Sequence, residues 1–401
     1  EIRQQIAQKA AGLSEQRPNL EVVYDYYNLV SSRVGVERTA GNTRETFYME
    51  GWVAKPDMER IEKAVLKRLP EAYITFSDPG EEDDVPVVLK NPAFVEPFEM
   101  ITDLYSPPGK SDFDPNKLVS VFYFIFFGMM LSDAAYGIVL AALGIWALRT
   151  LKPRGMMKKL LGVITLGGIS TIFWGAMFGG WLGDLLGLPP LWINPLEEPM
   201  TLLMLSFALG IIQIFAGLGA AFYKNFKAGN VLDAVFDQGL WLMLLIGILM
   251  FLYPPLTGVA KVLTAVGAVG LVLTQGRSKK GIIGKLISGV LSLYGVTGYL
   301  SDVLSYSRIL ALGLATGVIA MVINTMAKML GFNIIGYVLM AVALVVGHAF
   351  NLVINVLGSY VHSSRLQYVE FFGKFYDGGG RTFNPFMVKT KYTNLMSEEE
   401  L

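Results

Sequence analysis

Two arginines, Arg308 and Arg365, stand in the last two long apolar runs of this 401-residue chain. A fixed cation near a bilayer centre costs roughly 3 to 15 kcal/mol depending on the reference state, so each needs a function and a partner. The chemistry open to arginine here is electrostatic. It stays charged when poorly solvated, and its planar fork holds a carboxylate. On the last run His348, Asn351, Asn355, Ser359 and His362 recur at three- and four-residue spacing. On a helix they form one polar stripe roughly 21 Å long, with Arg365 at its edge. On the preceding run Ser301 and Ser305 fall near the face of Arg308, whereas Asp302 falls on another face and is no obvious partner. Such stripes either line water-accessible paths or are buried as hydrogen-bonding glue between helices. Position alone also lets Arg365 be an end-of-helix arginine that snorkels to the interface, since Lys374 and a polar tail follow soon after. Arg308 lies too deep in its run for that reading.

These residues need membrane-spanning elements to position them. The chain is 53% hydrophobic with a mean hydropathy of +0.47, well above a soluble domain. Charge is unevenly divided: residues 1–116 are net acidic, and 117–401 net basic. From residue 117 onward eight apolar runs are long enough to span about 30 Å, at about 117–131, 133–150, 158–183, 200–223, 236–253, 258–276, 286–330 and 335–372. The first two read as a hairpin turning near Ser132 and Asp133. Every second connection is basic: Arg149, Lys152, Arg154, Lys158 and Lys159, then Lys224 and Lys227, then Arg277, Lys279, Lys280 and Lys285. By the positive-inside rule the N-terminal part and the C-terminal tail are both cytoplasmic. Spans seven and eight are about twice as long as a bilayer needs, so they must tilt, kink or protrude, and Gly295, Gly298, Gly313 and Gly317 permit bending.

The fold class expected is mostly α: eight transmembrane helices, the last two long and tilted, with a small α/β cytoplasmic domain before them. Within that domain 1–13 and the stretch after Pro18 read as helices, 46–54 as a strand, 57–69 as a helix, and 73–76 and 85–89 as short strands around an acidic turn at 79–84. The division expected is 1–97 as a partial stalk-anchoring domain, 98–116 as a linker, 117–372 as the membrane domain and 373–401 as a cytoplasmic tail. Glu1 opens a charged, helix-like segment rather than a signal peptide, and this end reads as cut from something longer.

Motifs of enzymology are missing. Cysteine is absent and histidine occurs twice, which excludes disulfides and thiolate metal sites and leaves a histidine-based metal site poorly supplied. The stretch 270–278 (GLVLTQGRS) has the wrong glycine spacing for a phosphate loop and arginine where lysine is needed. No cofactor or metal is expected, and no nucleic acid.

Three stretches carry a resemblance. SDVLSYSRILALGLATGVIA (301–320), VHSSRLQYVEFFGKFYDGGGRTFNPF (361–386) and the hairpin FFGMMLSDAAYG (126–137) resemble the membrane subunit of rotary V/A-type ATPases, called a in vacuolar enzymes and I in bacterial and archaeal ones. The likeness runs through the membrane half in order, and residues before 97 resemble the later part of that family's cytoplasmic domain. Some relatives have an acidic residue in place of Asn355 and a histidine in place of Thr316. The wording of the motifs is prokaryotic.

What the resemblance implies is a stator that does not itself hydrolyse ATP. A rotating ring of proteolipid subunits (c, or K/L) would present one carboxylate per ion site to Arg308 and Arg365, between two aqueous half-channels lined by His362, Ser359, Asn355, Asn351, Ser305, Ser301 and Asp302. The ion would be H+ or Na+. Peripheral-stalk subunits E and G, a central-stalk subunit of the d or C type and the lipid bilayer would be the other partners, in a multi-pass protein of the plasma membrane. On this reading the counter-ion of Arg308 sits on a different, moving chain. A secondary transporter with an arginine substrate site is the rival, yet the paired internal repeats it calls for are not found in the sequence. A passive membrane anchor would leave Arg308 unexplained.

Overall fold

With no water in a hydrocarbon layer, every backbone N–H and C=O must be satisfied within its own segment, and the apolar runs accordingly fold as helices. The computed structural model describes residues 2–80, 83–109, 112–277, 281–330, 333–387 and 390–393. It is mostly helical, and the strands among these residues are two residues long. The chain divides into two units, Glu1–Val88 with Thr382–Leu401, and Leu89–Arg381.

In the first unit α1 (Ile2–Glu37) joins both expected helical stretches and continues through Pro18, where the missing N–H removes one backbone bond. α2 (Met58–Arg68) follows a single turn with Pro56 near its start, and Glu59 in its first turn and Lys67 and Arg68 in its last complement the helix dipole. Of the strand segments anticipated from the sequence, β1 (Gly41–Asn42) pairs antiparallel with β2 (Phe47–Tyr48), placing Gly41 opposite Tyr48. Pro86–Val87 forms another two-residue strand, and 73–76 forms none. Part of the acidic turn, 81–82, lies outside the described residues. Burial gives the reason for the short strands. Phe47, Tyr48 and Tyr73 are exposed, and aromatic strands gain stability from a packed face that these lack.

The second unit starts with α3 (Glu99–Tyr105), then two apolar helices of 16 and 17 residues, α4 (Asn116–Leu131) and α5 (Ala134–Thr150). Six further segments are long and apolar enough to cross a membrane: Met156–Phe178, Pro199–Lys227, Val231–Met250, Pro254–Thr274, Ile283–Lys328 and Ile334–Lys374. They carry α6 (Met156–Phe178), α7 (Pro199–Lys227), α8 (Val231–Asp233), α9 (Leu240–Met250) and α10 (Thr257–Thr274). α11 (Ile282–Leu293), α12 (Gly295–Ser305), α13 (Ser307–Lys328) and α14 (Ile334–Arg365) complete them. The chain is a multi-pass membrane protein.

The long seventh run keeps helical dihedrals through two interruptions of its regular hydrogen bonding. At 46 residues it would reach about 69 Å as one helix, and it is interrupted at Tyr294 and again at Tyr306. The eighth stays helical to Arg365 and then widens into a π turn at Leu366–Phe371. Between α4 and α5 the chain turns at Ser132, whose φ is +43°. Asp133 then caps α5, one carboxylate oxygen accepting from the N–H groups of Ala135 and Tyr136 at 3.0 and 3.2 Å. α5 lies close on α6 because of glycine: a Cβ on Gly175 would stand 2.1 Å from the Ala134 nitrogen, an approach only small residues allow.

Two aromatic-rich cores hold the unit, one around Phe98, Tyr123, Phe127, Phe371 and Phe372, the other around Phe126, Met130, Tyr306, Ile309 and Leu366. On α14 the usual polarity is reversed. Asn351 (2% exposed), Asn355 (4%) and Ser359 (0%) point inward, while Phe350 (67%), Val353 (66%) and Leu357 (62%) face out. A helix in water does the opposite.

Candidate functional site

Arg308 is the second residue of α13, just past the break at Tyr306. Its Nη1 donates to Glu370 Oε1 at 3.0 Å, with the Glu370 side chain 2% exposed and that of Arg308 24%. Glu370 lies in the π turn that follows α14. Arg308 thus has a partner within its own chain, correcting the expectation that its only counter-ion would lie on another. Beside the pair, the Tyr306 hydroxyl donates to Gln213 Oε1 at 2.7 Å, and Gln213 Nε2 donates to Gln367 Oε1 at 2.8 Å. Three elements, α7, α13 and the π turn, therefore converge on Arg308.

Arg365 ends α14 and is exposed on this chain, with no ion pair among the described residues. His362 lies one turn before Arg365 on α14. Asp302 is engaged elsewhere: it forms an ion pair with Lys374, whose ammonium lies 4.4 Å from the Tyr299 ring centroid. Ser305 donates to the Ser301 carbonyl at 3.1 Å, a bond within α12, and Ser301 is exposed. The structure pairs Arg308 with Glu370 and places Arg365 one turn after His362 on α14. It does not bring Ser301, Ser305 or Asp302 into hydrogen-bond contact with them among the described residues.

The upper part of the α14 stripe is a polarised column. Asn355 Nδ2 donates to Asn351 Oδ1 at 2.6 Å, and Asn351 Nδ2 to the Tyr136 oxygen at 2.9 Å. His348 Nε2 lies 2.9 Å from Asn324 Oδ1, an oxygen that can only accept, so Nε2 carries a proton. In a neutral imidazole Nδ1 is then the acceptor, and it takes the Tyr136 hydroxyl at 2.6 Å. Asn324 Nδ2 finally donates to Asp184 Oδ1 at 2.7 Å and to the Leu182 carbonyl at 2.8 Å. Every donor in this chain points the same way, from Asn355 toward the carboxylate of Asp184 in the loop after α6.

Below Asn355 the pattern changes. Ser359 Oγ, His362 Nδ1, Gln367 Nε2 and Glu370 Oε2 are buried atoms that find no hydrogen-bond partner among the described residues. A buried polar atom left unpaired costs about 1 to 3 kcal/mol. Four of them, all on α14 and the turn after it, mark a polar lining rather than a finished core. No group of acidic and histidine side chains able to hold a metal occurs among the described residues.

Glu370, Gln213, Gln367, Tyr306, Tyr136 and Asn324 were not singled out from the sequence. Glu370 carried a signal: it is the lone carboxylate of the apolar run 335–372, as unexpected there as the arginine. The others are uncharged and join across up to 215 residues of sequence, so spacing on one helix does not reveal them.

Residues 293–388, which contain both arginines and Glu370, match the model of the V-type ATPase 116kDa subunit family. The chain is similar to the A-type ATP synthase subunit I of Methanocaldococcus jannaschii, 35% identical over 98% of this chain and 62% of that protein. The Pyrococcus horikoshii A-type ATP synthase subunit I is 34% identical, over 96% and 61%. The V-type ATP synthase subunit I of Borreliella burgdorferi is 27% identical, over 81% and 57%. The chain spans about six-tenths of the length of the curated relatives it matches. With a family match laid over the arginine site and relatives matched along nearly all of its residues, the chain is similar to the V-type ATPase 116kDa subunit family over 293–388 and to A-type ATP synthase subunits I along most of its length.

Proposed function

We propose that this chain is the membrane part of a rotary ATPase stator, the partner that exchanges H+ or Na+ with carboxylates on a rotating proteolipid ring. The observation that carries the reading is the α14 face: a buried polar column that loses its internal partners as it nears Arg308, Glu370 and Arg365. The names of the relatives, subunit I of A-type and V-type ATP synthases, support it. On this reading α4 and α5 join the six longer segments as eight crossings. The basic connections are cytoplasmic, so the Asp184 loop is external. The first unit, read as a small α/β domain, anchors peripheral-stalk subunits E and G and meets a d- or C-type central-stalk subunit, with both termini in the cytoplasm and the protein in the plasma membrane. ATP hydrolysis belongs to other subunits.

Each group then has a task. The column from Asn355 to Asp184 fixes α14 against its neighbours and leads inward from the external loop, while Ser359 and His362 line the aqueous stretch next to the arginines. Ser301, Ser305 and Asp302 on α12 face the cytoplasmic approach. Arg308 and Arg365 draw a ring carboxylate into its ionised form; an opposite charge within about 4 to 6 Å lowers a carboxyl pKa by about 1 to 3 units. The same cations bar ions from passing straight between the half-channels. The test is thiol reactivity in the intact complex: Ser359→Cys and His362→Cys should react with a membrane-impermeant maleimide faster than Asn351→Cys. Equal inertness at all three contradicts a water-lined path.

A further inference from the structure

The site holds two arginines and one resident carboxylate. Asp302 and Lys374 satisfy each other, Tyr306 donates to Gln213, and His362 lies in the last turn of α14 with Arg365. Among the described residues Glu370 is thus the one carboxylate paired to Arg308. It cancels one of the two arginine charges and leaves one cation unmatched, the number needed for one incoming carboxylate.

The geometry orders these groups from inside to outside. Glu370 is buried, its partner Arg308 is partly buried, and Arg365 is exposed. The bond between Arg308 and Glu370 uses one guanidinium nitrogen and one carboxylate oxygen, whereas arginine has five N–H groups to give. Among the described residues Arg308 therefore has donors free for a second carboxylate without releasing Glu370. The second oxygen of Glu370, Oε2, has no hydrogen-bond partner among the described residues.

We propose that Glu370 is a resident counter-ion that positions Arg308 between encounters with a partner's carboxylate and weakens its pull at each encounter. The proposal rests on the stator reading above. A bare arginine would hold the arriving carboxylate too well and favour its ionised form too strongly. A carboxylate 3.0 Å from the guanidinium offsets part of that field, so the arriving site both releases its ion and moves on. Glu370 is a positioning residue, since it acts through Arg308.

The experiment uses the intact rotary complex in vesicles, reading ATP-driven uptake against the concentration of the transported ion, H+ or Na+. Glu370→Gln keeps the shape and removes the charge. The expected result is a rise of about 3- to 10-fold in the ion concentration giving half-maximal uptake, equal to about half to one pKa unit on the ring carboxylate, with a lower maximal rate. Glu370→Asp should shift in the same direction by less, and it carries the test if the glutamine variant does not assemble. A merely structural Glu370 would lower the amount of complex and leave the ion dependence unchanged, which overturns the proposal. Arg308→Ala separates the two levels. If that variant is inactive while both Glu370 variants keep the wild-type ion dependence, the counter-ion role alone falls; if it pumps normally, the stator reading falls with it.

Discussion

Arg308 and its neighbours act as charges and hydrogen-bond donors placed where water is scarce, so single atoms carry large effects. Tyr136 is the joint of the polar column, giving its proton to His348 and accepting from Asn351. Tyr136→Phe leaves one acceptor and one donor unpaired in a buried site, a loss of about 1 to 3 kcal/mol. A lower unfolding temperature of the purified complex, with slower ATP-driven uptake, is expected; unchanged values of both would mean the column contributes neither stability nor an ordered path. At this scale the sequence exposed the arginines and the α14 stripe, because a charge or a run of amides in an apolar run is conspicuous. Glu370 was visible on the same logic. Gln213 and Tyr306 were not, since a neutral side chain on a distant helix becomes part of a site only through packing.

Helices place these side chains, and their irregularities matter as much as their regular turns. The break at Tyr306 sets Arg308 at the start of α13, and the π turn at Leu366–Phe371 turns Gln367 and Glu370 inward where α14 ends. Period and length revealed the long runs, but a π turn leaves no mark in hydrophobic spacing. In the first unit the element of interest is the clasp on α1. Asp25 is buried and accepts from the N–H groups of Lys391, Tyr392 and Thr393 and from the Thr393 hydroxyl. The Tyr24 and Tyr392 rings meet edge to face at 5.5 Å. Burial pushes the Asp25 carboxyl up, but the hydrogen bonds outweigh it and hold the group at about 2, below its ordinary 3.8. A depressed pKa means the clasp is whole above about pH 4 and is lost as pH falls through about 2. Amide exchange at 391–393, corrected for intrinsic rates, should therefore show protection at pH 5 that fades toward pH 2, and Asp25→Asn should remove it at both. Equal protection across that range contradicts the clasp.

The whole molecule is a membrane unit with its polar groups turned inward and a separate unit built on a long helix. Apolar runs made the first legible, for only helices satisfy the backbone in lipid. The second was less so: its aromatic segments read as strands, yet Phe47, Tyr48 and Tyr73 have no packed layer over them. Small glycine contacts such as Gly175 on Ala134 decide how closely helices approach, and they too are silent in composition. The central claim is that Arg308 couples ion movement to rotation. It is tested most directly by ATP-driven ion uptake in vesicles carrying the intact complex with Arg308→Ala, alongside a check that the complex assembles and hydrolyses ATP. The account predicts uptake at the level of passive leak in a fully assembled complex; uptake at the wild-type rate would contradict it.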